Sequence, residues 1–310
     1  MYKKNFRTHK VEVWFLFIML SLIWGSSFIL IKKGLVVFSP EQVGTMRIVF
    51  AFLFLLPAAV RNLKKISKDK WKVVFFTGMI GNFIPSILFS IAETGLESSL
   101  TGILNALTPL FALIIAVLLF NHRLRIIQIS GLLIGFIGTV GLSFVSARGE
   151  IGQMNMYVWF VIIATVCYGI SLNIIKNYLQ GINSIVITSL ALLTVGPIAV
   201  IYLLTTDFIY IVINSPGAFE ALFFIALLGI FGTAIALILY TKLIHLTSAV
   251  FASFIAYLIP VVAILWGWLD NESLYALHFI GMVMILLGIY LVNKSEDFSK
   301  KNEQYNNIEH

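Results

Sequence analysis

Val13-Trp14-Phe15-Leu16-Phe17-Ile18-Met19-Leu20-Ser21-Leu22-Ile23-Trp24-Gly25-Ser26-Ser27-Phe28-Ile29-Leu30-Ile31 is a run of 19 residues without a single charge. As a helix rising about 1.5 Å per residue, it is long enough to cross the roughly 30 Å hydrocarbon core of a bilayer. The basic segment Met1 to Lys10 before it looks like the start of a signal peptide. The apolar run, however, continues through Trp24 to Ile31 with no small-x-small cleavage site, and many similar runs follow, so it reads as an uncleaved first helix.

Working outward, apolar windows and their breakers divide the chain into ten spans, near residues 13–31, 42–60, 73–92, 98–120, 126–145, 156–175, 183–204, 219–240, 247–269 and 275–293. The composition agrees. The chain of 310 residues is 60% hydrophobic and 11% charged, whereas a soluble domain is about 45–50% apolar and about a quarter charged. A soluble enzyme, a disordered protein and a nucleic-acid-binding domain are all disfavoured. Cys167, alone in the chain, excludes an intramolecular disulfide and a thiolate metal site, and inside an apolar run it reads as a small buried hydrophobe. No cofactor is called for.

The net charge of +7 is unevenly placed. With the N-terminus in the cytoplasm, 17 of the lysines and arginines fall inside and only Lys32, Lys33 and Arg148 outside, leaving Arg47 within a span. By the positive-inside rule this sets both termini in the cytoplasm, an even number of spans, and a multi-pass protein of the cell (plasma or inner) membrane.

The chain also repeats. Trp24-Gly25-x-Ser27 recurs as Tyr168-Gly169-x-Ser171, Lys32 as Lys176, and Pro109 as Pro260. After one gap, Leu124, Gly131 and Gly138 match Leu274, Gly281 and Gly288. Each copy holds five spans, an odd number, so the second is inverted relative to the first. The expected fold is all-α: ten transmembrane helices as two inverted five-helix repeats. Repeats occupy residues 13–146 and 156–293, with tails 1–12 and 294–310 and a connecting loop 147–155. Inverted repeats are a signature of secondary transporters.

These residues are also where the chain resembles a family. Trp24-Gly25-Ser26-Ser27-Phe28 with Lys32, Pro40 followed by Met46-Arg47, Ala92, Asn105-Ala106-Leu107-Thr108-Pro109-Leu110-Phe111, and a Gly-rich helix closing each half are similar to EamA-type members of the drug/metabolite transporter superfamily. The resemblance implies a central cavity lined mainly by spans 1, 3, 4, 6, 8 and 9. It implies an exporter or exchanger of amino acids, related metabolites or drugs; some relatives instead take up nucleotide-type metabolites such as S-adenosylmethionine. There is one departure: His122 stands where the family usually has an acidic residue between spans 4 and 5, whereas the second copy keeps Glu272.

Polar groups inside spans need a partner or water, which singles out the candidates. Asn82 lies in span 3, where Pro85 removes a backbone donor and frees the Gly81 carbonyl; it lines a cavity or bonds a neighbouring helix. Asn105 and Thr108 bracket the turn disturbed by Pro109, and Pro260 gives the matching kink in span 9 with Ser253 and Tyr257 nearby. The two prolines suggest a hinge pair or paired cavity walls. Trp24 and Tyr168, with Ser27 and Ser171 on the next turn, sit too deep to be interfacial anchors. They suit an aromatic pair facing one cavity, or helix packing at Gly25 and Gly169. Tyr240 and Trp266 are weaker candidates of the same kind. Arg47 lies about 9 Å into span 2, within snorkelling reach of the outer surface, and suits an ion pair or gate contact. Glu93 and Glu97, at the turn between spans 3 and 4, could pair with Arg47 or Lys32 or be hydrated. No carboxylate falls near mid-membrane, which weakens a proton relay built on a buried acid. Gly131-x-x-x-Gly135 serves internal packing or a dimer; the chain otherwise reads as a monomer whose partners are a small solute and the bilayer.

No G-x-x-x-x-G-K-[ST] loop is present, so the chain carries no ATPase of that kind. A channel would normally show carbonyl or charged-ring filters, and an intramembrane enzyme a metal cluster or acid–base pair within the spans; neither is found. The leading expectation is a secondary transporter of small organic metabolites such as amino acids.

Overall fold

The computed structural model describes residues 2–120, 126–143, 155–246, 255–273, 275–288 and 290–291, and among them there is no β-strand. The first apolar run forms α1 (Tyr2–Gly25) and α2 (Ser27–Leu35), which meet at Ser26. The second forms α3 (Pro40–Asn62), started by a capping box in which Ser39 and Gln42 exchange side-chain and backbone hydrogen bonds, with Pro40 where no amide donor is needed. The third is α4 (Trp71–Gly78), a π-helical stretch Met79–Phe83, and α5 (Ile84–Ala92). The fourth is α6 (Ser98–Asn105) and α7 (Thr108–Phe120), broken at Ala106-Leu107 just before Pro109. Then come α8 (Ile126–Ser143), α9 (Val158–Tyr178), α10 (Ser184–Leu204) and a short connecting helix α11 (Phe208–Asn214). The chain continues with α12 (Ala218–Leu227), a second π-helical stretch Leu228–Ile235, and α13 (Ala236–Leu246). It ends with α14 (Ile255–Leu269) and α15 (Ala276–Gly288). Gly217 precedes α12 at φ +77°, a left-handed conformation that glycine adopts without strain.

Seven of these units are long and apolar enough to cross a membrane: Val11–Leu35, Pro40–Lys65, Lys68–Ala92, Ser98–Leu119, Val158–Tyr178, Ser184–Leu204 and Ala218–Leu243. Three shorter apolar helices, Ile129–Gly138, Leu258–Leu269 and Ala276–Gly288, fall where spans 5, 9 and 10 were expected. The chain is a membrane protein, and its outer faces show it: Leu53, Phe54, Val60, Leu118, Leu119, Ile201, Phe219 and Phe223 are exposed. Such a belt is stable against lipid tails and not against water.

One core cluster joins both halves of the sequence, with Leu20, Ile31, Met46, Leu104, Leu107, Val161 and Ile225 within it, each at most 1% exposed. The Gly-rich helices pack on each other: a Cβ at Gly288 would meet the Gly131 carbonyl and Gly135, and one at Gly138 would meet the Gly281 carbonyl and Met284. The Gly131–Gly135 motif is therefore used inside the molecule, in contact with Gly288.

Candidate functional site

The repeated glycines and serines make reciprocal contacts between the halves. A Cβ on Gly25 would collide with the Val262 Cβ and lie 3.1 Å from the Ile259 carbonyl, on either side of Pro260. Gly169 in the same way meets Phe111 and Ala112, just after Pro109. The π-helical stretches follow suit: Gly81 in the first abuts Ser171, and Gly232 in the second abuts Ser27. Ser27 and Ser171 are both buried.

Each π-helical stretch also holds its own extra carbonyl. Asn82 Nδ2 donates to the Thr77 carbonyl at 3.4 Å and Thr233 Oγ1 to the Leu228 carbonyl at 3.4 Å, in both cases five residues back. A π turn leaves one residue out of register, and here a side chain meets the displaced group. Pro85, at the first turn of α5, follows the first π stretch directly.

The second stretch gathers more chemistry. Arg47 is buried, and its Nε donates to Thr233 Oγ1 at 2.6 Å, with a longer contact of 3.5 Å from its terminal nitrogen to the Gly232 carbonyl. It does not snorkel outward as its position suggested; a polar partner inside the bundle holds it. Trp24 Nε1 donates to the same Gly232 carbonyl at 3.1 Å, and its ring meets Tyr240 edge-on at 4.9 Å. Tyr168 instead stacks on Phe89 at 5.8 Å, and Phe89 touches Phe28. Trp24 and Tyr168 thus have different aromatic partners. Thr108 Oγ1 donates to the Asn105 carbonyl at 2.9 Å, across the break before Pro109. Trp266 Nε1 donates to Ser26 Oγ at 2.7 Å. Pro260 is buried in α14; the side chain of Tyr257 in that helix, and Ser253 and His122 entirely, lie outside the described residues.

A second constellation gathers at the helix ends near Lys32. Lys32 Nζ lies 2.8 Å from Asp270 Oδ2, 2.9 Å from Glu272 Oε1 and 3.7 Å from Glu97 Oε2, and Lys33 Nζ is 2.5 Å from Asp270 Oδ1. The Glu272 side chain is wholly buried. It accepts from the Ser98 amide at 3.0 Å, Ser98 Oγ at 2.5 Å and the Ser99 amide at 3.0 Å. It therefore caps α6 from a distant loop, placing negative charge where the helix dipole favours it. Burial alone pushes the Glu272 carboxyl up, but hydrogen bonds from Ser98, Ser99 and Lys32 outweigh burial and hold it below its ordinary value. Hydrogen bonds from Lys32 and Lys33 likewise hold Asp270 down. Glu97 is pushed up by burial and by the negative charge of Glu272.

Several of these residues escape a reading by type alone. Thr233 carries the same offset from Asn82, 151 residues, that Pro260 carries from Pro109, so the repeat was a signal for it. Asn173, buried one turn beyond Gly169, donates to the Ala112 carbonyl at 2.8 Å and the Gly169 carbonyl at 2.9 Å and ties α9 to α7. Its only sequence signal is an amide within an apolar span. Among the described residues no group of three or more His, Cys, Asp or Glu could hold a metal ion.

Comparison with known proteins bears on what this arrangement belongs to. An uncharacterised transporter of Archaeoglobus fulgidus is 28% identical over 287 residues, covering 91% of this chain and 99% of its own. The inner membrane transporter YedA of Escherichia coli K12 is 24% identical over 88% of each chain. An S-adenosylmethionine/S-adenosylhomocysteine transporter of Chlamydia trachomatis is 23% identical over 82% of this chain and 80% of its own. A solved crystal structure aligns with a TM-score of 0.60 over 89% of this chain and 94% of its own at 16% identity, a likeness in fold alone. Residues 13–144 and 155–294 each match the EamA-like transporter family. The chain belongs to that family.

Proposed function

We propose that the protein is a secondary transporter of small organic metabolites, amino acids among them, working as exporter or exchanger. Two inverted five-helix halves alternate access to a central cavity between them, with both termini in the cytoplasm. The observation that carries this reading is the reciprocity of the contacts: Gly81 on Ser171 and Gly232 on Ser27, Gly25 beside Pro260 and Gly169 beside Pro109. Two units that each present the same elements to the other can exchange roles, which is what alternating access demands of inverted repeats. Trp24, Ser27, Asn82, Asn105, Tyr168, Ser171, Tyr240 and Tyr257 are the proposed cavity residues. Arg47, Pro85, Pro109 and Pro260 are the proposed hinge or gate. Membership of a transporter family argues against an enzyme, and a sequence without a carbonyl or charged-ring filter pattern argues against a channel.

A second reading, uptake of a nucleotide-type metabolite, is favoured by the relative named as an S-adenosylmethionine/S-adenosylhomocysteine transporter. The test is counterflow. Purified protein in liposomes preloaded with unlabelled amino acids, nucleosides or S-adenosylmethionine is offered each labelled solute outside. Saturable entry of one class, accelerated by the same class inside, is expected. Conductance far above carrier turnover would sink the alternating-access reading.

A further inference from the structure

We propose that Glu93 is a proton-binding site: the Lys32 end of the carrier closes over the protonated form of Glu93, so that each closure takes up one proton. The proposal rests on the transporter reading above and adds to it the ion that is linked to the conformational change.

Four acidic side chains crowd this end, and three have cationic or hydrogen-bonding partners. Glu272 takes Ser98, Ser99 and Lys32, Asp270 takes both lysines, and Glu97 takes Lys32. Glu93 is different. It is 8% exposed, and both of its carboxyl oxygens are buried with no hydrogen-bond partner. An ionised carboxylate in that setting is costly, whereas the neutral acid is tolerated. Glu93 also forms the C-terminal end of α5, where the helix dipole is negative and disfavours an anion.

The charged and titratable groups that act on it come from every side. Lys32 on α2 and Arg47 on α3 favour its anion, and Glu272 in the loop after α14 opposes it. Glu97 lies four residues on in the same turn, and Tyr168 on α9 stacks on Phe89 one turn earlier in α5. Both cations are engaged elsewhere, Lys32 by three carboxylates and Arg47 by Thr233. Burial pushes the Glu93 carboxyl well above the ordinary range, with Glu272 adding to the shift.

The turn that follows Glu93 is tied down by separable contacts. Asn155 Nδ2 donates to the Gly95 carbonyl at 2.9 Å, and the Tyr157 ring lies so close over Gly95 that no Cβ would fit. Glu272 tethers Ser98 and Ser99. Release of these contacts admits water to the 93–97 turn, and the solvated carboxyl gives its proton to that water. Closure reverses the step: a proton from bulk water adds to a carboxylate oxygen, and the neutral acid is buried. No other bond is made or broken.

Infrared difference titration of the purified full-length protein in lipid nanodiscs tests this without a substrate. The wild type is expected to show a protonated-carboxyl C=O band whose midpoint lies well above that of free glutamate, as desolvation of a buried carboxyl produces. Glu93→Gln should abolish the band and Glu93→Asp should move it. Glu272→Gln should lower the midpoint, because it removes a negative neighbour and loosens the turn. If Glu93→Gln does not elute as a folded species, Glu93→Asp carries the test. A band that survives Glu93→Gln unchanged, or a midpoint in the ordinary carboxylate range, overturns the proposal. Counterflow of the same solute panel is measured alongside over a pH series. No flux in the wild type counts against the transporter reading and leaves the infrared result standing. Flux whose pH dependence is the same in Glu93→Gln overturns the proton-linked closure.

Discussion

The two π-helical stretches, Met79–Phe83 and Leu228–Ile235, do the same thing with different chemistry. Both place a glycine against a serine of the opposite half, and both use the next side chain to hold the carbonyl five residues back. In the first that side chain is the amide of Asn82; in the second it is the hydroxyl of Thr233, which also accepts from the buried Arg47. Backbone geometry has been kept where the halves touch, while charge has been admitted on one side only.

That difference predicts unequal losses. Arg47→Gln removes the charge and leaves Thr233 without its donor, and counterflow should fall at least about tenfold, equivalent to about 1.4 kcal/mol of barrier. Asn82→Ala removes one long hydrogen bond of 3.4 Å and should cost less than about threefold. Equal losses at the two positions would mean that the charge has no special role.

A second contrast lies within the Lys32 end. Glu272 is held below its ordinary range and Glu93 above it. A lowered folded-state pKa gives stability that is present above the ordinary carboxylate range and lost as pH falls through the lowered value; a raised one gives stability that is lost as pH rises. Glu272→Gln should therefore lower stability at neutral pH by about 2 kcal/mol. The scale is that of a broken buried charge pair, reduced because Lys32 is one-third exposed. The deficit should close in acid. Thermal melts across pH check this, and a deficit that is constant with pH would make Glu272 an uncharged cap.

Most of the architecture was legible in the sequence because apolar length and duplicated motifs are local properties. Trp24-Gly25 and Tyr168-Gly169 announced the repeat, and the Lys-rich loops suggested an orientation. The π-helical stretches were not legible: Gly81-Asn82 followed by Pro85 pointed to a disturbed helix, but the widening is matched to Ser171, 90 residues away. Arg47 read as a cation within snorkelling reach, suited to an ion pair or gate contact, and its actual partner, the Thr233 hydroxyl, was hidden because it comes from the other half. Glu93 and Glu97 read alike, as acids flanking a turn. What separates them is packing: Glu93 is buried with neither carboxyl oxygen hydrogen-bonded, whereas Glu97 is part-exposed and paired with Lys32. Burial of a span-end acid is decided by what packs on it, which no window of its own sequence contains.

The smallest expected effect bears on the geometry the halves share. A Cβ at Gly232 would lie 2.9 Å from Ser27 Oγ, an atom that can rotate away, whereas one at Gly81 would collide with Ser171 Oγ and lie 2.9 Å from its Cβ. A Cβ cannot swing aside, so at Gly81 the helices themselves must part. Alanine gains about 1 kcal/mol over glycine in a helix interior. Gly232→Ala should therefore leave stability nearly unchanged, and Gly81→Ala should cost about 1–2 kcal/mol as an overpacked contact. Removing the obstruction isolates the cause: in the double variant Gly81→Ala with Ser171→Gly, the melting temperature should return most of the way to that of Ser171→Gly alone. If it does not, the first π-helical stretch is set by something other than its contact with the opposite half, and the parallel between the two stretches is one of sequence rather than of force.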